Sequence, residues 1–153
     1  MSIYPQGTNG ISYQQIITNL PSLSEQQQLL LPLHNRCLTE LGIADKDYLA
    51  VQNWQSTICG GINSFSAMRG ELTDEQQVSG YFTVSAKGLN SHSAAISELL
   101  HQTYKNVRFD EHQRLRELVA QSRARSKQSV TGNGHSLAMT AACQGFSPTA
   151  RFS

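Results

Sequence analysis

Cysteine is scarce in this chain: of 153 residues only Cys37, Cys59 and Cys143 are cysteines, odd in number, far apart and without a C-x-x-C pair. That spacing excludes a disulfide framework and a cysteine-rich zinc site, and it points to free thiols in a reducing compartment, the cytoplasm. A charge of one sign is missing as well. Twelve basic and eleven acidic side chains leave a formal net charge of +1, too little to gather nucleic acid or an anionic lipid surface from a distance. No run approaches the ~18 apolar residues that a membrane helix needs. The start, MSIYPQGTNG, has no basic residues followed by an apolar stretch. Neither nucleic acid nor a membrane is therefore expected as a partner. What the chain does have is 39% hydrophobic residues, enough for one core, so a single domain spanning residues 1–153 is expected.

The periodicity of those apolar residues alternates between strand and helix. Gly10 to Leu20 is rich in Ile, Tyr and Thr but alternates imperfectly, which predicts a strand partly buried on both faces, ended by Pro21. Ser24 with Gln27 has the spacing of a capping box, and Leu30, Leu33, Cys37, Leu38 and Leu41 then fall on one helical face, with Gly42 as the stop. Pro32 predicts a kink in that helix or a later start. Asp45 is expected to cap a second helix carrying Tyr48, Val51, Trp54 or Gln55, and Ile58, ended by Gly60-Gly61. INSFSAMR and YFTVSAKG, joined by the polar link GELTDEQQVSG, read as an antiparallel hairpin in which Phe82, Val84 and Ala86 face one side.

Two more helices follow. Asn90 is expected to cap one with the stripe Ile96, Leu99, Leu100 and Tyr104, and Asp110 another with Leu115, Leu118 and Val119, both packing on the sheet. The fold class is thus α+β: an antiparallel sheet packed by helices on one face, close to a split βαβ sandwich. Beyond Ala120 the helical pattern continues through a Gly-x-Gly interruption to SPTARFS without a closing strand. The sheet is expected to lack its last strand, and the chain to be a truncated part of something longer.

The stretch LPLHNRCLTELGI, Leu31 to Ile43, carries the raw materials of a metal helix. In H-E-x-x-H or its inverted form H-x-x-E-H, histidines at i and i+4 share one face while the glutamate sits beside the metal-bound water. Here His34 is followed by Cys37 at i+3 and Leu38 at i+4. A thiol stands where the carboxylate belongs and a leucine where the second ligand belongs, so zinc hydrolysis from this helix is excluded. His92, His101 and His112 follow no ligand spacing. TGNGHS, Thr131 to Ser136, lacks the Lys and Ser/Thr of a phosphate loop and reads as a helix interruption. Arg114, Arg116, Arg123, Arg125 and Lys127 lie among Asp110, Glu111 and Glu117 without interleaved aromatics, which describes a solvated face.

TNGISYQQIITNLPSLSEQQQLLLPLHNRCLTELG, GGINSFSA, YFTVSAKGLN and RLRELVAQSRARSKQSVTGNGHSLAMTAACQGFSPTA together resemble the third domain of the pitrilysin/insulinase-type zinc metallopeptidases, in their presequence-protease subfamily. The match covers almost the whole chain. The resemblance implies an enzyme whose two halves, each of two similar α/β domains, close around a chamber. The first domain would bear H-x-x-E-H and a downstream glutamate, and the third would be its echo without the metal. His34 and Glu117 therefore inherit no ligand role. No catalytic or metal residue, and no cofactor, is expected in this chain, with zinc in the parent enzyme's other half.

By the same resemblance, the strand after Gly60-Gly61 matches the edge strand that pairs with extended peptide substrate in the catalytic domain. Gly61, Ile62, Asn63 and Ser64 are the candidate substrate-binding residues, although an edge covered by another domain is the commoner arrangement. Expected partners are the remaining domains of the parent chain, peptide substrates, and a second copy paired through the open edge. Two functions follow: a non-catalytic, chamber-forming part of a peptide-degrading zinc metallopeptidase, or a stand-alone α+β binding or scaffolding module.

Overall fold

The computed structural model describes residues 2–70, 78–132 and 134–143. Its strands are β1 (Ile11–Asn19), β2 (Ile62–Gly70) and β3 (Val78–Leu89), and its helices α1 (Glu25–Glu40), α2 (Tyr48–Ile58), α3 (Ser93–Lys105), α4 (His112–Gly132) and α5 (Gly134–Cys143), with a 3-10 turn at Asn90–His92. β3 is the middle strand of an antiparallel sheet in the order β1-β3-β2, so the expected hairpin is present and both β1 and β2 are edges among the described residues. The register places Ile16 opposite Val84 and Ser64 opposite Val84 on the other flank. One face of the sheet therefore carries Ile16, Ser64, Phe82, Val84 and Ala86, because side chains alternate along a strand.

That face is the one the helices cover. Leu38 of α1, Cys59 after α2, and Ile96, Leu99 and Leu100 of α3 close over Phe82, Val84 and Ala86 as one buried cluster. A second, smaller cluster joins Cys37 and Leu41 of α1 to Leu118 of α4. The fold is thus α+β with helices on one face. The opposite face leaves Tyr13, Ile17, Phe65 and Leu89 exposed.

Several local details differ from expectation. β1 is half-buried on one face and exposed on the other, since among the described residues no second layer covers the side that carries Tyr13 and Ile17. The capping box at Ser24 and Gln27 forms, and α1 runs through Pro32. Leu30 is 57% exposed. The N-cap of α2 is Asp47, whose carboxylate accepts from the Ala50 N–H at 2.8 Å; Asp45 instead sits in the preceding turn and pairs with Lys46. Asn90 opens the 3-10 turn and α3 begins at Ser93. The Asp110 carboxylate takes the fork of Arg108, with two hydrogen bonds of 3.0 Å. α4 packs chiefly on α1 and not on the sheet, which leaves Val119 47% exposed while Leu118 is fully buried.

The loop between α1 and α2 is pinned to the segment before α4. Ala44 N–H donates to the Asn106 carbonyl and Arg108 N–H to the Gly42 carbonyl, each at 2.9 Å. Glu111 completes the junction: its carboxylate accepts from Gly42 N–H at 2.8 Å and from Tyr48 N–H at 3.1 Å, which satisfies a donor at the start of α2. Gly42 has no room for a side chain, since a Cβ there would lie 2.5 Å from the Lys46 carbonyl oxygen.

Candidate functional site

Three side chains of the metal-like pattern go to separate places. His34 lies between two rings, 6.0 Å from Phe109 and 6.1 Å from Phe82 by ring centroids. Cys37, one turn further, is 3% exposed and part of the α1–α4 core; burial pushes its thiol up, opposed in part by the neighbouring Arg36 cation. Glu117 projects from α4 to Arg114, at 3.1 Å. Arg114 also holds Glu40 at 2.7 Å and covers the Tyr48 ring, 4.7 Å from its centroid. These residues do not converge, and among the described residues no three His, Cys, Asp or Glu side chains form a group that could hold a metal ion. They do not fit zinc.

The other sequence candidates scatter. His92 Nδ1 lies 3.1 Å from the Ile58 carbonyl oxygen and, protonated there, ties the turn before α3 to the end of α2. His101 and His112 are exposed, one on α3 and the other on α4. In TGNGHS, α4 ends at Gly132 and α5 begins at Gly134, while Asn133 lies outside the described residues, as do residues 144–153, the stretch in which a closing strand is expected to be lacking. Arg123, Arg125 and Lys127 are all exposed on α4.

Gly61 to Ser64 form the entrance of β2. Gly61 takes φ +123, a conformation that favours glycine, and Ile62 pairs with Ala86 and packs against the sheet core. Asn63 is exposed, and Ser64 Oγ is buried without a hydrogen-bond partner. Beside this free edge runs a groove of about 750 Å³, walled by α1 on one side and residues 63–66 and Met68 of β2 on the other, with Arg125 of α4 at its rim. Asn35 ties the two walls together: its Nδ2 donates to Ser66 Oγ at 3.0 Å.

Arg36, from the same helix wall, donates Nη1 to Ser122 Oγ at 3.3 Å and Nη2 to Gln121 Oε1 on α4. Sequence reasoning missed Asn35, Arg36, Thr39 and Glu40 as wall residues. Their i, i+1, i+4, i+5 spacing marks a continuous polar face, but nothing local says that a strand edge lies opposite. Chemically the groove offers strand backbone unpaired among the described residues, two guanidinium groups, the Glu40 carboxylate and a few neutral polar atoms.

Residues 1–153, the entire chain, match the family described as Peptidase M16-C associated. The chain belongs to that family. As a member of it, the chain is similar to the presequence protease, mitochondrial, of Danio rerio, 27% identical over 145 residues that cover 95% of this chain and 14% of that protein. It is likewise similar to presequence protease 1, chloroplastic/mitochondrial, of Arabidopsis thaliana, 27% identical over 134 residues, 86% of this chain and 12% of that protein. Protein HypA of Clostridium perfringens is 25% identical over 132 residues, 86% of this chain and 14% of that protein. The chain thus spans 12% to 14% of the length of these relatives.

Proposed function

We propose that this chain is a non-catalytic domain of a zinc metallopeptidase that degrades peptides, and that it forms part of the wall of the chamber in which the peptide is held. The observation that carries the reading is the free edge of β2 beside the α1 groove, in a chain whose relatives include presequence proteases. The helix that would bear metal ligands has its histidine in a ring stack and its cysteine in the core. The metal, and the acid–base groups that work with it, then belong to another part of a longer polypeptide, whose other domains are the partners of this one. An extended peptide laid along β2 adds a strand to the sheet, with Ile62 to Ser64 supplying backbone partners and Gly61 keeping the entrance clear. The unpaired, buried thiols of Cys37 and Cys59 suit a reducing compartment such as the cytoplasm.

The test uses the full natural-length polypeptide that contains this chain. Chelators are expected to abolish peptide cleavage, and His34→Ala to leave both zinc stoichiometry and kcat unchanged. Loss of a zinc equivalent in His34→Ala would overturn the reading. For this chain alone, dimerisation that grows with concentration in size-exclusion chromatography is expected, through pairing of two copies at the open edge, whereas a stand-alone scaffolding module is expected to stay monomeric at every concentration and would count against the reading.

A further inference from the structure

We infer that the α1–β2 groove takes an extended peptide bearing a carboxylate side chain, and that Arg36 and Arg125 receive that carboxylate. This rests on the reading of β2 as a peptide-pairing edge and adds the chemistry of what pairs there.

The charge balance of the groove is one-sided. Its lining includes three charged side chains, Arg36, Glu40 and Arg125. Glu40 is already committed, since its Oε2 accepts from Arg114 at 2.7 Å and from the Gln52 amide at 3.3 Å. Neither Arg36 nor Arg125 has a carboxylate within ion-pair distance among the described residues. Two cations therefore face the groove with no free anion between them.

Arg36 is also held in place without being neutralised. Its two hydrogen-bond partners on α4, Ser122 Oγ and Gln121 Oε1, are both uncharged. They fix the guanidinium plane and leave further N–H groups unused, because the side chain has five donors. Gln121 and Ser122 stand one turn before Arg125 on α4, so the i, i+3 and i, i+4 spacing brings the Arg125 side chain to the same side of the groove as Arg36. A pre-oriented arginine loses little freedom on meeting a carboxylate.

The occupant is a peptide and not a nucleic acid. The groove follows a strand edge, whose outward N–H and C=O groups alternate at the spacing of another extended backbone. Only one aromatic, Phe65, lines it, too few for the successive stacking that single-stranded nucleic acid uses. Ser64 Oγ, buried and unpartnered on the same wall, leaves one polar atom for the incoming chain to satisfy.

The experiment uses the full natural-length polypeptide, chelated to stop cleavage, and three fluorescent peptides of one strand-forming sequence with Glu, Gln or Lys at a central position and a photo-crosslinker beside it. Anisotropy gives affinity, and mass spectrometry reads crosslinks to residues 62–70. The Glu peptide is expected to bind about fivefold more tightly than the Gln peptide, the size of an exposed to half-exposed ion pair, with the Lys peptide weakest. That order is expected to flatten in Arg125→Gln and invert in Arg125→Glu; Arg125 is exposed, so neither change disturbs the core. Equal binding and equal crosslinking of the Glu and Lys peptides would overturn the charge assignment while leaving β2 as a pairing edge. Absence of crosslinks to residues 62–70 from every peptide would overturn both.

Discussion

His34 and Phe109 hold their rings nearly parallel, with centroids 6.0 Å apart and planes inclined by 12°. The His34 ring thus holds the loop before α4 against α1. Replacing it with alanine is expected to cost about 1 kcal/mol, the worth of a ring pair beyond its buried area. His34→Phe should recover most of that loss. Urea unfolding of the three proteins measures it, and a fully wild-type midpoint in His34→Ala would show that the stack contributes nothing.

Glu111 carries the junction between the α1–α2 loop and the start of α4. In Glu111→Ala the Gly42 and Tyr48 N–H groups lose their acceptor, and a charged acceptor of this kind contributes roughly 1.5–3 kcal/mol. Glu111→Gln keeps one oxygen and should fall between wild type and alanine. Hydrogen exchange at Gly42 and Tyr48 is expected to speed up in Glu111→Ala before exchange in the sheet changes.

Gly88 sits where β3 passes beneath α2 and α3. A Cβ there would lie 2.9 Å from the Ile58 carbonyl oxygen, 2.9 Å from Ile96 Cδ1 and 3.3 Å from Cys59 Cα, so backbone must move to admit it. Gly88→Ala is expected to lower stability by roughly 1–3 kcal/mol, as overpacking does. Gly60→Ala is the control, since its nearest atom is 3.9 Å away. Thermal unfolding should separate the two, and equal midpoints would contradict this account of the packing.

Burial pushes the Cys37 thiol above the ordinary value of 9.0. The folded chain then keeps its proton where the unfolded chain gives it up, so the unfolded state binds fewer protons and stability falls as pH rises through that range. The contribution is complete at neutral pH and is lost on going upward past about 9, not on acidification. Denaturant midpoints measured from neutral pH to about one unit above that value should decline less steeply in Cys37→Ala than in wild type.

What was legible in the sequence was whatever depends on neighbours along the chain. Ser24 and Gln27 form their reciprocal bonds, at 3.3 and 2.9 Å, because both partners lie within one turn. Phe82, Val84 and Ala86 share a face because strand side chains alternate. The errors fall where a distant residue decides. Leu30 and Val119 continue apolar stripes yet stay exposed, since among the described residues nothing covers the side of α1 or α4 to which they point. Asp45 and Asp47 are equally good caps on paper. The turn in which Ile43 bonds with Lys46 and bridges to Val107 selects Asp47.

By itself the sequence determined the order and kind of the elements, the single apolar face of β3, and the presence of Cys37 and Leu38 at i+3 and i+4 from His34, because periodicity and residue chemistry are local properties. Only the tertiary structure decided that β3 takes the centre and leaves β2 at an edge. It alone set α4 against α1 and drew Arg36 to Ser122 across 86 positions of chain. Those outcomes follow from which apolar surfaces can be buried together at once, a condition on the whole chain that no window of residues contains.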